Sequence, residues 1–228
     1  MSRFATTLRA DVVLQARNGF YAATAFVTAI WALLLLGAGG LDLRWLLPPM
    51  LLGNLLLGTF YFIAGLVLLE RAEGSLVARA ITPLRPGEYL AAKVLSLSAL
   101  ALAETLALTP LMAGWRFLAL PLAAGVMLGA AVYCLAGFVA VSRYRAINEY
   151  LMPSTLYVTL LWLPLLAYTV QWRPWPLLLH PLSGPLALVE AAFAPAESTQ
   201  LLYGLAASAL WVAMLGVWAQ KRLESTAR

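Results

Sequence analysis

The sequence LLPPMLLGNLLLGTFYFIAGLVLL, residues 46–69, is an apolar run without a charged side chain, and it decides the fold class. A helix needs about 20 predominantly apolar residues to cross a hydrocarbon core of ~30 Å, so this run predicts a transmembrane helix. The whole chain is 63% hydrophobic and 11% charged, whereas soluble domains carry roughly 25% charged residues. We therefore predict an all-α polytopic membrane protein, one transmembrane domain over residues 1–228, with six spans at residues 20–37, 46–69, 90–112, 117–141, 150–170 and 201–219.

The basic residues predict the orientation of these spans. Twelve Lys and Arg side chains fall on one side, and three (Arg44, Arg116 and Arg173) fall on the other. Because cytoplasmic loops carry the excess of Lys and Arg, both termini are expected in the cytoplasm. The net charge of +5 arises from helix ends and not from a dense patch, so no nucleic-acid partner is expected. Thirteen Arg against two Lys is typical of a GC-rich bacterial genome. We expect the chain to lie in a plasma (bacterial inner) membrane, in contact with membrane lipid.

Two segments lie outside the predicted spans. Phe4, Leu8 and Val12 recur at helical spacing among charged residues, which predicts an amphipathic helix on the membrane surface; the alternative is an unstructured basic terminus. The segment 171–198 contains five prolines and is too interrupted to span. We interpret it as an outer-face cap or a re-entrant hairpin that contains a short helix.

The residue inventory excludes several kinds of chemistry. Lys93 and Lys221 are the two lysines, and neither follows a glycine, so no phosphate-binding loop with a Gly-Lys pair is present. His180 is the single histidine and Cys134 the single cysteine, which argues against a metal cluster or a disulfide framework. Ser183 near His180 makes a poor scaffold for a protease triad. We expect no catalytic residue, no metal site and no cofactor bound by this chain.

The loop between the second and third spans, ERAEGSLVARAITPLRPGEYLAAK at residues 70–93, is the most informative stretch. It predicts a short helix at about residues 75–81. Ser75 can cap the N-terminus of this helix, and Glu73 lies at the positive end of its dipole. Pro83 stops the helix, and Glu88 begins the next span. A compact helix held between two spans can transmit force from a cytosolic partner; the alternative is a solvated connector.

The same loop resembles the loop of type-2 ABC exporter permeases. The resemblance rests on Glu70-x-x-Glu73-Gly74-Ser75, then Thr82-Pro83-Leu84, then Glu88-Tyr89-Leu90 and Lys93. The overall plan is also similar: a surface N-terminal helix, six spans and broken hairpins before the last span. Ser75 replaces the usual Thr, and Arg79 stands where the family often has an apolar or acidic residue, which affects the choice of ATPase partner. The chain looks most like drug-exporter permeases.

This resemblance implies that the short helix is a coupling helix that docks in a cleft of an ATPase subunit. It further implies two copies of a cytosolic ABC ATPase, which would bind ATP and Mg²⁺, and a second permease chain, either identical or different. The residues expected to take part in ATPase coupling are Glu70, Glu73, Gly74, Ser75, Leu76, Arg79, Thr82, Pro83 and Glu88.

Small and polar residues form two stripes inside the predicted spans. Gly125, Gly129, Tyr133 and Gly137 repeat every four residues in the fourth span, a pattern that lets helices approach closely. Asn54, Gly58, Tyr61 and Gly65 are expected on one face of the second span. Both stripes fit either a dimer that encloses a substrate path or packing within one subunit.

Glu104 lies near the middle of the third span. An acidic group there costs about 2.5–3.5 kcal/mol on insertion scales, so it should face protein or water. Either it lines a cavity and contacts a cationic or polar substrate, together with Asn54 and Tyr61, or it hydrogen-bonds a neighbouring helix and holds the bundle together.

The sequence therefore predicts the permease subunit of an ABC exporter that moves a hydrophobic or amphipathic substrate out of the cytoplasm. The alternatives are a non-transporting membrane scaffold or assembly factor and, less well supported, an intramembrane enzyme.

Overall fold

A computed structural model describes residues 3–37, 44–74 and 85–226 of the chain. The helix predicted at residues 75–81 lies outside the described residues, and so do Ser75, Leu76, Arg79, Thr82 and Pro83. Over the described ranges the chain forms helices, turns and bends, without a β-strand, which confirms the all-α prediction. The α-helices are α1 (Arg3–Arg17), α2 (Phe20–Gly37), α3 (Leu47–Leu55), α4 (Phe62–Ala72), α5 (Pro86–Ala113), α6 (Ala119–Val141), α7 (Ile147–Thr169), α8 (Ser183–Glu190) and α9 (Ser198–Thr226).

Five helical stretches among the described residues are long and apolar enough to cross a membrane. The first runs from α3 through a π-helical segment, Leu56–Tyr61, into α4, and the other four are α5, α6, α7 and α9. The apolar stretch of α2, Phe20–Leu34, is shorter than these. A polytopic membrane protein is thus supported, and the count of six spans stays a prediction.

Prolines and glycines explain several helix boundaries. Pro48 and Pro49 lie in the first turn of α3, and Pro86 opens α5, where a missing N–H removes no helical hydrogen bond. Gly19, between α1 and α2, and Gly114, after α5, have φ values of +75° and +62°. These are conformations that a side chain disfavours, so the chain changes direction at these glycines.

Helix α6 is the centre of the bundle. Its most apolar window is 78% buried, and α4, α5, α8, α9 and the π-helical segment all pack around it. A helix that is hydrophobic on every side is expected in such a position. By contrast, the corresponding windows of α7 and α9 are 28% and 17% buried. Those two helices present large apolar surfaces, for which lipid or another chain is the expected cover.

Helix α1 packs on α5 and α2 at one end of the bundle, called the α1 end below. Phe4 and Leu8 are half-buried, but Val12 is exposed, in contrast to the predicted apolar face. Asp11 and Gln15 are the buried residues of this helix. The inward face of α1 is polar in its second half because it meets polar partners on α5.

The segment 171–198 forms the opposite end of the bundle, the α8 end. It contains a 3-10 turn, Trp175–Leu179, followed by α8, which packs on α3, α6 and α9. Carbonyl groups of the turn accept hydrogen bonds from side chains of α9: Tyr203 Oη donates to Leu178 O at 2.6 Å, and Trp211 Nε1 to Leu179 O at 3.0 Å. The interrupted backbone is thereby satisfied by protein, as an outer cap or a re-entrant hairpin requires.

Candidate functional site

Glu104 is held between three helices. It lies in the middle of α5 and is 6% exposed. Its Oε1 accepts a hydrogen bond of 2.8 Å from Asn54 Nδ2 on α3 and one of 3.2 Å from Thr28 Oγ1 on α2. Two donors on one carboxylate oxygen offset part of the cost of placing this group among apolar helices. The polar centre of the bundle is therefore the junction of α2, α3 and α5.

A local change in helix geometry lies beside this carboxylate. The π-helical segment begins two residues after Asn54 and contains Gly58. A Cβ atom on Gly58 would lie 3.6 Å from Glu104 Oε2, which is an ordinary contact, so the second carboxylate oxygen faces this part of the π-helical segment. Single π-helical turns inside α-helices occur frequently at functional sites. The combination of a π-helical segment and a buried carboxylate makes this junction the candidate substrate site.

The structure joins two of the three predicted substrate-path residues. Asn54 contacts Glu104, whereas the hydroxyl of Tyr61 lies 3.4 Å from Ser154 Oγ on α7. The wider π-helical turn interrupts the 3.6-residue period on which a single face would depend. Thr28 was missed by the sequence reasoning. Its signal is weak: with Thr24 it forms a polar pair, four residues apart, in an apolar run.

A second polar centre is a buried ion cluster at the α1 end. Lys93 of α5 is fully buried, and its Nζ lies 2.9 Å from Asp11 Oδ1 and 2.7 Å from Glu70 Oε1. Tyr89 Oη donates a hydrogen bond of 2.6 Å to the other oxygen of Glu70. One turn away, Gln15 Nε2 donates to Ser96 Oγ at 2.8 Å. The cluster connects α1 with the end of α4 and the beginning of α5.

This ion cluster lies at both ends of the loop that the resemblance associates with coupling. Glu70 is 3% exposed, so its carboxylate faces Lys93 and not the molecular surface. Glu73 and Gly74 are exposed, and Gly74 has a φ of +70°, which turns the chain after α4. At the other end, Glu88 Oε2 accepts a 3.0 Å hydrogen bond from the Arg85 backbone N–H and caps α5. Among the described residues of the predicted coupling set, Glu73 and Gly74 are thus exposed, whereas Glu70 and Glu88 hold the ends of the loop.

The glycine stripe of α6 faces other elements of the same chain. A Cβ on Gly125 would lie 2.7 Å from Val189 Cγ2, and one on Gly129 would lie 2.9 Å from Leu52 Cδ2. A Cβ on Gly137 would lie 2.7 Å from the carbonyl oxygen of Phe60. Tyr133, which belongs to the same stripe, is fully buried. Of the two interpretations of this stripe, the contacts are those of packing within one subunit.

At the α8 end, a salt bridge connects the segment that follows α7 with α8. Arg173 Nη2 lies 2.9 Å from Glu190 Oε1, and the guanidinium lies 5.0 Å from the centroid of the Tyr168 ring. The hydrogen bond to Glu190 raises the pKa of Arg173 above its ordinary value. In the neighbouring turn, burial lowers the pKa of His180, whose Nε2 lies 3.0 Å from Leu160 O. His180 thus stays neutral at pH 7 and acts as a structural contact.

Comparison with known proteins identifies the family. The fluoroquinolones export permease protein family matches residues 2–225. This chain belongs to that family. Two fluoroquinolones export permease proteins, from two strains of Mycobacterium tuberculosis, are each 32% identical to this permease over 195 residues, covering 85% of its chain and 82% of theirs. It is thus an ABC-2 type drug-exporter permease, as the loop residues predicted.

Proposed function

We propose that this chain is the membrane subunit of an ATP-driven exporter that removes amphipathic, fluoroquinolone-like molecules from the cytoplasm. The observation that carries the proposal is the family match, which covers residues 2–225 and thus all described helical residues except Thr226. Two permease chains, identical or different, would combine with two cytosolic ATPase subunits that bind ATP and Mg²⁺. Both termini would lie in the cytoplasm of a bacterium, with the α1 end facing the ATPases.

The ion cluster gives this proposal a mechanical basis. ATP binding would close the ATPase subunits and push on the segment at residues 75–81. Because Glu70 and Lys93 join the two ends of that loop, a push on the loop displaces α4 and α5 together. Asp11 extends the same contact to α1. A rigid-body shift of this block would move the bundle between inward-facing and outward-facing states, powered by the different affinities of the ATPases for the two.

The junction around Glu104 gives the proposal a substrate contact. Its carboxylate is the acidic group of α5 that lies deepest among apolar helices, and fluoroquinolones commonly carry a basic amine. A cationic amine that displaced the Asn54 or Thr28 donor would replace a neutral donor with a charged one and form an ion pair with the carboxylate. The site therefore favours substrates with one positive charge on an apolar body.

Co-purification tests the ATPase partnership. Glu73→Ala and Leu76→Arg are expected to release the ATPase from the purified complex, because they change an exposed carboxylate and an apolar side chain at the predicted docking segment. The measurement is the ratio of ATPase to permease after affinity purification, with Glu224→Ala, also an exposed glutamate, as the matched control. A permease that purifies without any ATPase, or that moves substrate at full rate alone, would support the scaffold or another ATP-independent function.

Transport by Glu104→Gln tests the substrate contact. The amide keeps an acceptor for Asn54 and Thr28 but removes the charge, so we expect export of cationic substrates to fall about tenfold, since a hydrogen bond to a charged group contributes about 1.5–3 kcal/mol. Export of a neutral substrate of similar size should change little. The measurement is ATP-dependent uptake into inside-out vesicles, with Glu224→Gln as the control. An equal loss for cationic and neutral substrates would assign Glu104 to helix packing instead.

A further inference from the structure

An apolar groove runs between α5, α6 and α9, away from the Glu104 junction. Its volume is about 490 Å³, and its walls are apolar over most of their length. Leu90 and Val94 of α5, Leu135 of α6 and Val212 of α9 contribute to these walls. Small-molecule sites in proteins typically occupy about 300–1,000 Å³ and are lined mainly by apolar side chains with few polar groups. The groove thus has the size and the lining of a ligand site.

The groove is open because α9 stands away from its neighbours at this end. At the α8 end α9 is packed tightly, since a Cβ on Gly204 would lie 2.7 Å from Leu188 Cγ. Three turns further on, a Cβ on Gly216 would meet no atom within 4 Å. Gly216 lines the groove, so the space beside it is not filled by any described part of the chain.

One buried hydroxyl in the groove has no hydrogen-bond partner. Ser98 lines the groove and is 1% exposed, and its Oγ finds no partner among the described residues. Some other buried hydroxyls in the spans donate to the carbonyl four residues earlier, as Thr105 does to Ala101 O at 2.8 Å and Ser208 to Gly204 O at 2.5 Å. Thr24 Oγ1 on α2, like Ser98 Oγ, has no partner among the described residues, but it does not line this groove. An unsatisfied buried polar group requires an explanation. A polar atom of a ligand in the groove would supply the missing partner.

A second polar group lies at the α1 end of the groove. Gln220 lines it there, and its Nε2 lies 3.1 Å from the position of a Cβ on Gly87. Gly87 and Ser98 are eleven residues apart on α5, which corresponds to about 16 Å along a helix. A lipid acyl chain has no polar atom that could bond Ser98. An elongated amphipathic molecule with one hydrogen-bonding group near Ser98 and another near Gln220 could bond both side chains.

We propose that the groove between α5, α6 and α9 is a second substrate site, which binds an elongated amphipathic molecule with a hydrogen-bonding group directed at Ser98. The groove opens on the outside of the bundle, so it would take up such molecules directly from the membrane. The inference rests on the proposed export function, and it assigns that function a site separate from Glu104.

Binding to the purified permease, without its ATPase, tests this site. The probe is norfloxacin, a fluorescent fluoroquinolone, titrated in detergent. A Cβ at Gly216 meets nothing within 4 Å, so Gly216→Leu can extend its side chain into the groove, and it is expected to raise the Kd more than tenfold. Ser98→Ala should raise it about threefold, because it removes one hydrogen bond and no volume. Gly37→Leu is the matched control and should leave the Kd unchanged, because a Cβ at this helical glycine also meets nothing within 4 Å.

Two outcomes would show that the groove is not a substrate site. An unchanged Kd in both Gly216→Leu and Ser98→Ala places the drug elsewhere, and loss of co-purified phospholipid from Gly216→Leu with an unchanged Kd identifies the groove as a lipid site. Neither outcome affects the export proposal. That proposal fails instead if the wild-type complex, reconstituted with its ATPase, does not transport norfloxacin that it binds.

Discussion

Replacing Lys93 with methionine is expected to loosen α1 and to lower the thermal unfolding midpoint of the purified permease by about 10 °C. The substitution keeps the length of the side chain but removes the cation between Asp11 and Glu70, which are 4% and 3% exposed. Removing one partner of a buried ion pair costs about 3–5 kcal/mol, because the remaining charge stays desolvated. At roughly 2–4 °C per kcal/mol for a chain of this size, the shift is easily measured.

Neutralising the two carboxylates separates the effect of uncompensated charge from the effect of the changed side-chain shape. The triple variant Lys93→Met, Asp11→Asn, Glu70→Gln should unfold at a higher temperature than Lys93→Met alone, because it no longer leaves buried charges uncompensated. Lys221→Met changes the other lysine, which is exposed, and should leave the midpoint unchanged. Limited proteolysis should cut α1 faster in Lys93→Met than in the wild type. A midpoint within 2 °C of the wild type would show that the cluster does not hold α1.

The ion cluster also shows what the sequence could not predict. The spacing of Phe4, Leu8 and Val12 correctly predicted a helix in this N-terminal segment. It placed Val12 on the inward face, however, where the structure has Asp11. Asp11 is buried because Lys93 lies opposite, 82 residues later in the chain. A local hydrophobic pattern contains no information on such a partner. Lys93 was identified as part of a motif, but its contacts depend on the packing of α1, α4 and α5.

For the intramembrane residues as well, some features could be predicted from the sequence and others could not. Composition and run length were sufficient to predict the five long apolar helices among the described residues, because the bilayer imposes a minimum length on every apolar span. The cost of an intramembrane charge predicted that Glu104 would face protein or water, and the structure places it against Asn54 and Thr28. The π-helical segment was not predicted, since nothing in the residues 56–61 distinguishes a wider helical turn from an ordinary one. That turn is the reason why Tyr61 contacts α7 and not Glu104.

The glycine stripe shows that a pattern can predict close packing without naming the partner. Four-residue spacing of small residues correctly indicated close helix contacts for α6. The partner of Gly125 is Val189 of α8, a helix in the proline-rich segment that has no regular pattern. The contact therefore became visible only when the path of that segment was known.

A large packing effect is expected at Gly137, where α6 touches the π-helical segment. A Cβ there would lie 2.7 Å from the carbonyl oxygen of Phe60 and 2.8 Å from Ile63 Cγ2. The first of these atoms belongs to the backbone, so it cannot move without displacing the segment that follows Asn54. Overpacking in a core typically costs about 1–3 kcal/mol. We expect Gly137→Ala to lie at the upper end of that range and to lower the unfolding midpoint by about 8 °C.

A series of glycine-to-alanine variants tests whether the loss of stability follows the distance from the added Cβ to its nearest neighbour. Gly129→Ala should cost less than Gly137→Ala, because its nearest atom is the flexible end of Leu52 at 2.9 Å. Gly53→Ala should be neutral or slightly stabilising, since its Cβ would lie an ordinary 3.7 Å from Trp162 and alanine favours the helix by about 0.5–1 kcal/mol. Equal midpoints for all three variants would show that α6 and the π-helical segment are not in contact. If the expected order holds, Gly137→Ala should also weaken export of cationic substrates more than Gly129→Ala, because the displaced segment adjoins the Asn54 hydrogen bond to Glu104.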